Sequence, residues 1–199
     1  MITILSCITQ DHDWRFVFGA ALVCLLASLT SVSLLDRARL RGGDLRWLAL
    51  TGLTSASGIW ATHFIAMLAF NPGVAFGFDL PLTLLSLGIS VCVTGGGMWL
   101  ATIGERRSDV WLGGAILGLG ISTMHYTGMA SLVIGGAIAW EPATTAMSVL
   151  FGIGLGALAL AIGTKNETIY AKLGGTLTLT LAIVAMHFTA MGAAGFENC

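Results

Sequence analysis

Hydrophobic residues form six long runs along this chain, separated by short polar segments that contain glycine, proline or charged residues. A helix needs about 20 apolar residues to cross the hydrocarbon core of a bilayer. Lipid offers the backbone no hydrogen-bond partners, and these runs are too long and continuous for barrel strands. The pattern predicts an all-α integral membrane protein with six transmembrane helices, over residues 16–35, 47–70, 80–103, 110–134, 144–162 and 173–196.

A short motif recurs in the second, fourth and sixth runs with a fixed period of 62 residues. It consists of Ile, then His four residues later, an aromatic residue directly after the His, Ala or Gly at the third position after it, and Met at the fourth. Its copies are Ile59–Met67, Ile121–Met129 and Ile183–Met191. A period of this length is typical of repeated structural units. Each unit is then a two-helix hairpin, and the membrane domain of residues 16–199 contains repeats 16–70, 80–134 and 144–196.

Charge distribution predicts the orientation of these hairpins. Eight of the nine Lys and Arg residues lie in the turns between spans 1 and 2, 3 and 4, and 5 and 6. By the positive-inside rule these turns are cytoplasmic, and both termini, including the N-terminal segment 1–15, lie outside. Three hairpins with one orientation predict a pseudo-threefold axis along the membrane normal. The three histidines then lie near the outer face.

Composition adds two limits. Of the 199 residues, 56% are hydrophobic and 10% charged, whereas soluble domains have about 25% charged residues. A net charge of −1 gives no basis for nucleic-acid binding. With the C-terminus outside, a cytoplasmic output domain would need a seventh span. The chain is therefore expected to be either complete and confined to the membrane or a shortened piece.

Small and acidic residues suggest how the helices begin and pack. Acidic residues precede spans 1, 3 and 5 and are expected to cap helix N-termini; an outer acidic ring that attracts cations is the alternative. These residues are Asp13, Asp79 and Glu141. The pairs Gly114/Gly118 and Gly152/Gly156 have the small-xxx-small spacing of closely packed membrane helices.

The four cysteines divide by position. Cys24 and Cys92 lie inside apolar runs and are expected to pack as small hydrophobic residues. Cys7 and Cys199 lie near the termini, and a disulfide between them on the outer side is conceivable.

The repeated His and Met carry candidate metal chemistry. Residues four apart on a helix share a face, and imidazole together with a soft thioether suits copper, in particular Cu(I). The predicted ligands are His63, Met67, His125, Met129, His187 and Met191. Carboxylates and cysteines are absent at matching spacing, which disfavours zinc, calcium and magnesium. The alternative is that these residues only pack.

The neighbours of each His have simpler expected roles. The Ile four residues earlier would form a dry floor beneath the site. Met124 and Met186 point about 100° away from the adjacent His and are expected to pack. The aromatic residues after each His are also expected to pack, although the Tyr126 hydroxyl could bond a ligand. Thr127 and Thr189 are expected to bond back to their own helices. His12 is expected to be solvated.

The second copy contains the string Met124-His125-Tyr126-Thr127, and the whole chain resembles an MHYT domain, a bacterial integral-membrane sensor module of three such repeats. The first copy departs from the pattern with Thr62 in place of Met and Ile65 in place of Thr. The resemblance implies a copper-binding domain of the bacterial cytoplasmic membrane that senses O2, CO or NO.

The resemblance also implies an output outside this chain, such as cyclic di-GMP cyclase and phosphodiesterase domains, so any enzymatic activity would lie in a fused domain. It assigns metal-binding roles to the six His and Met ligands. It assigns weaker, supporting roles to Met124, Tyr126, Thr127, Met186 and Thr189.

Three alternatives stay open from the residues themselves. The same ligands would suit a membrane copper oxidase or oxygenase, or a protein that transports copper. Haem is the rival cofactor, because His and Met are also axial ligands of haem iron.

Overall fold

The computed structural model describes residues 13–71 and 76–197; Cys7, His12 and Cys199 lie outside these ranges. The described chain is almost entirely helical, with short strands in two of the connections and after the last helix. The elements are α1 (Trp14–Leu40), α2 (Leu45–Ala69), β1 (Gly77–Phe78), α3 (Leu80–Ile103), α4 (Arg107–Ala130), β2 (Leu132–Val133), β3 (Ala137–Trp140), α5 (Pro142–Gly163), α6 (Ile169–Ala193) and β4 (Ala194–Glu197).

Four of the six helices, α1, α3, α5 and α6, are long and apolar enough to cross a membrane. The helices α2 and α4 are of similar length, with 25 and 24 residues, but contain more small and polar residues. Many of those residues are buried inside the bundle, among them Thr51, Ser55 and Ser122. Crossing of the membrane by all six helices stays a prediction.

The helices form a closed bundle. Each one packs against its neighbours in chain order, and α1 packs against α6. The basic turns after α1, α3 and α5 lie at one end, which we call the basic end. The connections with the short strands lie at the other, which we call the strand end.

Each hairpin is fastened at the strand end by the same hydrogen bond. The acidic residue before its first helix donates its backbone N–H to a carbonyl at the end of its second helix. The donor and acceptor pairs are Asp13 and Ala69 at 2.8 Å, Asp79 and Ser131 at 2.7 Å, and Glu141 and Ala193 at 2.9 Å. The start and the end of each hairpin are therefore joined by an equivalent backbone hydrogen bond in all three repeats.

The carboxylates of these acidic residues cap the helices, as predicted. Asp13 accepts from the Arg15 N–H and Asp79 from the Leu82 N–H. Hydrogen bonds from the side chain and backbone of Thr144, and from the Ala143 N–H, hold the pKa of the Glu141 carboxyl below its ordinary value. A helix N-terminus favours negative charge, so the three caps help to fix where the helices start.

Two helices end earlier than the hydropathy pattern predicts. The fourth ends at Ala130 rather than residue 134, because Leu132–Val133 pairs with β1 in an antiparallel ladder. The sixth ends at Ala193 rather than residue 196, because β4 pairs antiparallel with β3. Conversely, α1 continues past residue 35 to Leu40. Hydropathy follows the apolar stretch and does not mark the ends of helices.

The predicted role of the glycine pairs in close helix packing is confirmed, and the structure shows that the two pairs contact each other between α4 and α5. A Cβ atom on Gly118 would lie 2.0 Å from the Gly152 carbonyl oxygen, and one on Gly114 would lie 2.6 Å from the Gly156 carbonyl oxygen. No side chain larger than hydrogen fits at these crossings, so glycine sets the spacing of the two helices.

The two cysteines within helices differ. Cys24 is buried, as predicted. Cys92 is exposed on α3, so the prediction that it packs as a small hydrophobic residue is wrong at this position. An apolar run alone does not say which face of a peripheral helix a residue occupies.

We expect Gly118→Ala to destabilise the protein in detergent by about 1–3 kcal/mol, because the added methyl group overlaps the α5 backbone. Thermal unfolding measures the effect. The matched control is Gly154→Ala in α5, where a Cβ would meet nothing within 4 Å and helix propensity improves. Equal midpoints for the two variants would contradict the packing described.

Candidate metal centre

Three histidines from three different helices meet inside the bundle. His63 on α2, His125 on α4 and His187 on α6 are 3%, 0% and 5% exposed. Their Nδ1 atoms form a triangle with sides of 3.1 Å between His125 and His63, 3.3 Å between His187 and His125, and 3.4 Å between His63 and His187. The 62-residue period therefore brings its histidines to one point.

Small residues three positions after each His allow this approach. On α4 the small residue is Gly128, and a Cβ added there would lie 2.6 Å from Nε2 of His63. Its counterparts Ala66 and Ala190 are buried. The imidazole of one hairpin thus lies against the small residue of the next hairpin, at least for His63 and Gly128.

Each histidine ring also packs edge-on against the aromatic residue that follows it. The centroid distances are 4.8 Å for His63 and Phe64, 5.1 Å for His125 and Tyr126, and 5.1 Å for His187 and Phe188. The interplanar angles are between 82° and 86°. Such T-shaped contacts are favourable and restrict the ring orientation. The predicted packing role of these aromatics is confirmed.

Protons alone do not satisfy this triangle of nitrogens. In a neutral imidazole one nitrogen carries hydrogen and the other a lone pair. Each of the three Nδ1 atoms either carries a hydrogen or has a lone pair. Because all three are neighbours, at least two of them must be in the same state, so that two hydrogens or two lone pairs face each other. A buried polar arrangement of this kind is costly. One cation facing three Nδ1 lone pairs removes the conflict.

The triangle also has the size of a metal site. A point equidistant from the three nitrogens lies about 1.9 Å from each, close to typical metal–imidazole distances of about 2.0–2.1 Å. The same three histidines form the cluster of potential metal ligands in the described part of the chain. A metal held by Nδ1 leaves the ring proton on Nε2. In the described residues, Nε2 of His63 and of His125 has no hydrogen-bond partner.

The methionines at the fourth position after each His form a separate layer. Met67, Met129 and Met191 are at most 3% exposed and cluster with Phe70, towards the strand end from the histidines. Side chains from the connections pack over this layer, namely Phe78, Leu132, Ile138 and Trp140. The layer closes the histidine cluster on the side of the strand end.

A cavity of about 100 Å³ adjoins the histidines and is lined by residues of α1, α2, α4 and α6. Its floor includes the three isoleucines of the motif, Ile59, Ile121 and Ile183. Met124 and Met186 line it as well. The sequence predicts that both are packing neighbours and not ligands, with weaker supporting roles; both are buried, and they face the same cavity as the histidines.

Two residues with weaker predicted roles point elsewhere. The Tyr126 hydroxyl is 2.6 Å from Ser148 Oγ, and Thr127 Oγ1 donates to the Thr123 carbonyl at 2.8 Å. The back-bond of Thr127 was predicted. Thr189 is buried, and its role stays a prediction.

One set of positions escaped the sequence analysis. Cys24, Ser86 and Ser148 are buried, and they follow the same 62-residue period on the first helix of each hairpin. Ser86 Oγ accepts from the Trp60 indole at 3.2 Å, much as Ser148 bonds Tyr126. Extending the period from the histidine motif to the preceding helices would have found them.

The bundle and its centre define a protein of apolar, membrane-type helices with a buried cluster of three histidines. The family described as "Bacterial signalling protein N terminal repeat", MHYT, matches residues 57–114 and 118–176. The chain belongs to the MHYT family, as its motif indicated.

Relatives of the chain are signalling proteins of greater length. It is 41% identical over 192 residues to an uncharacterised signalling protein of Caulobacter vibrioides, covering 96% of this chain and 24% of that protein. It is 36% identical to the bifunctional diguanylate cyclase/cyclic di-GMP phosphodiesterase MucR of Pseudomonas aeruginosa, covering 94% and 28%. It is 40% identical to the cyclic di-GMP phosphodiesterase NbdA of the same organism, covering 87% and 24%.

The chain thus spans about a quarter of the length of the curated relatives it matches. No solved structure matches it.

We expect Gly128→Ala to displace the His63 ring, because the new methyl group would lie 2.6 Å from Nε2 and 3.0 Å from Cδ2. Overpacking of this kind costs about 1–3 kcal/mol. The measurements are the thermal midpoint and the imidazole NMR signals of His63. Gly135→Ala is the control, since a Cβ there would meet nothing within 4 Å. An unshifted His63 signal in Gly128→Ala would contradict the contact.

Proposed function

We propose that this chain is the membrane-embedded sensory domain of a signalling protein, in which His63, His125 and His187 hold one copper ion through their Nδ1 atoms. The observation that carries the proposal is the triangle of three nitrogens 3.1–3.4 Å apart. No distribution of protons over three neutral rings avoids a repulsive pair of nitrogens. A single cation that faces three Nδ1 lone pairs avoids it. The proposal is therefore one shared site, not three separate ones.

Two features support copper, and Cu(I) in particular. The adjacent layer of Met67, Met129 and Met191 offers thioethers, which are soft ligands suited to Cu(I). Metal-bound histidines usually donate their second N–H to a carboxylate or carbonyl, which raises ligand basicity. Nε2 of His63 and His125 lacks such a partner in the described chain. Less basic imidazoles favour the lower charge of the monovalent ion over Zn²⁺ or Cu²⁺.

Haem fits this centre less well. The cavity beside the histidines measures about 100 Å³, whereas pockets for drug-sized ligands already measure about 300–1,000 Å³. The three Nδ1 atoms also face one another directly, which leaves no space for a planar macrocycle between them.

The signal in this proposal is a diatomic gas such as O2, CO or NO. His63, His125 and His187 would hold the ion, and a bound Cu(I) would supply the chemistry that binds such a molecule. Each ligand comes from a different hairpin, so any change in ligand distances moves α2, α4 and α6 relative to one another. Helix movement is then the output of the site.

The membrane arrangement in the proposal follows the charges. All six helices cross the bacterial cytoplasmic membrane as three hairpins about a pseudo-threefold axis, with the basic end inside and the strand end and both termini outside. Its support is the set of three equivalent hairpin closures and the meeting of the three histidines. The histidines lie nearer the strand end, and hence the periplasmic face.

The output belongs to other parts of a longer protein. Two relatives are named for cyclic di-GMP turnover. We propose that the state of this centre regulates a domain of that kind, and that the residues of this chain sense without catalysing.

We expect purified protein, reconstituted with Cu(I), to hold about one copper per chain, measured by elemental analysis in detergent. The triple variant H63A/H125A/H187A should hold essentially none, and His125→Ala alone should lose most of it, because each removes imidazole ligands of the shared site.

The control for general loss of structure is Leu35→Ala. Leu35 is fully buried towards the basic end, and such truncations cost about 2–5 kcal/mol without removing a ligand. Copper retained in the triple histidine variant, or lost equally in Leu35→Ala, would contradict the proposed centre.

We expect CO added to the reduced, copper-loaded protein to give one sharp infrared stretching band, absent in the triple histidine variant. A sensor should also show no sustained O2 consumption when supplied with a reductant. Continuous O2 uptake that depends on the histidines would instead support the membrane oxidase or oxygenase.

A further inference from the structure

We propose that the cavity beside the histidines is a binding site for a small apolar molecule that arrives from the lipid between α1 and α6, and that Thr62 sets its size. The inference deepens the proposed function, since it assigns the gas its route and its resting place. The evidence for it is the apolar cavity, and ligand binding to that cavity can be tested without copper.

The lining of the cavity includes residues at the outer surface of the bundle, on α1 and α6. The lining runs from the buried histidines to Val17 and Ala21 of α1 and to Val184 and Phe188 of α6. Ala21 is exposed and the other three are half-buried. These residues mark a mouth on the lateral surface, which faces lipid if the bundle crosses the membrane as proposed.

The direction of the strand end is closed. There the histidines are covered by the methionine layer, whose members Met67, Met129 and Met191 are 0%, 1% and 3% exposed. Phe78, Leu132, Ile138 and Trp140 pack over that layer. A molecule from the aqueous side would have to cross both layers, whereas one dissolved in lipid meets the mouth directly.

The chemistry of the lining selects for apolar molecules. Apart from the histidines, its side chains are aliphatic, aromatic or thioether, with Thr62 as the exception. The Thr62 hydroxyl already donates to the Gly58 carbonyl at 2.8 Å. A polar solute would lose its water without gaining partners. Diatomic gases lose little on leaving water and are concentrated in lipid.

Thr62 is one of two positions of the motif, with Ile65, at which the first repeat differs from the other two. The residue before the histidine is methionine in the second and third copies, Met124 and Met186. The Cγ atom of Met186 lies 3.3 Å from where a Cβ on Gly152 would be, so Met186 packs against α5, the first helix of its own hairpin.

Thr62 likewise faces the first helix of its own hairpin, since its side chain lies beside the Cys24 thiol on α1. A methionine at residue 62 would therefore extend towards α1, into the region that the cavity occupies. The shorter threonine leaves that space open.

The size of the cavity defines its class of ligand. At about 100 Å³ it is smaller than the roughly 150 Å³ apolar cavity that accepts benzene or xenon in an engineered protein. It accommodates molecules of a few heavy atoms, which includes O2, CO, NO and a single xenon atom, and it excludes larger lipid-soluble compounds.

The test uses xenon as the probe and metal-free protein in lipid nanodiscs, with binding followed by ¹²⁹Xe NMR and by the shifts of methyl groups in Ile59 and Ile183. We expect saturable binding to the native protein. Thr62→Met should weaken it by roughly tenfold or more by filling the space. Thr62→Val, which keeps the shape, should bind as the native protein does.

Thr62→Met restores the residue found in the other two copies, so its folding is expected, and circular dichroism with thermal unfolding checks it. Equal xenon binding by Thr62→Met and Thr62→Val, or no binding by the native protein, would overturn the inference. Ala21→Phe at the mouth adds a second test. It should slow CO binding to reduced, copper-loaded protein at unchanged copper content, and an unchanged rate would overturn the proposed route.

The two proposals can fail separately. Xenon binding that depends on residue 62 in a protein that never retains copper would support the cavity and reject the metal centre. Copper retention with no xenon binding would support the metal centre and reject the cavity as a binding site.

Discussion

Three imidazole rings that face one another inside an apolar bundle form the constraint on which the rest of this structure depends. Their Nδ1 atoms are 3.1–3.4 Å apart, a distance at which neutral rings cannot all be satisfied by sharing protons. Such an arrangement in a low-dielectric interior needs either a cation or strong support from its surroundings. The support is present: edge-on aromatics orient the rings, Gly128 makes space for His63, and a buried methionine layer covers them.

The hairpins explain how one centre can influence the whole bundle. Each hairpin supplies one histidine and is closed on itself by the same hydrogen bond at the strand end, as between Asp79 and Ser131. Between α4 and α5 the contact is through Gly118 and Gly152, where the two backbones pack directly against each other without intervening side chains. In the proposed function, hairpins that meet at three nitrogens would convert a small change at the centre into relative movement of helices, because packed interfaces shift as units and do not deform continuously.

The sequence predicted the level of the histidines but not their arrangement. A fixed period places His63, His125 and His187 at the same height on equivalent helices, but it left open whether they form one shared site or separate ones. Ring rotamers and the choice of Nδ1 depend on contacts between helices, which spacing along one helix does not encode. The same limit applies to Met124, whose turn of about 100° from His125 suggested packing away from the site, although the cavity extends around the helix to reach it. Hydropathy located the helices but not the ends of α1, α4 and α6, because it follows the apolar stretch and not the last hydrogen bond.

Thr62 gives the departure of the first repeat a physical meaning. Three identical hairpins would close all three seams around the histidines alike, each with a methionine directed at its neighbouring helix. A centre sealed in this way could hold an ion but would exchange nothing with its surroundings. One shorter side chain leaves the other two hairpins tightly packed and keeps all three histidines in place, while it opens a path beside α1. Loss of symmetry at one position is therefore compatible with a stable cluster, and it separates the residues that hold the centre from the residue that gives access to it.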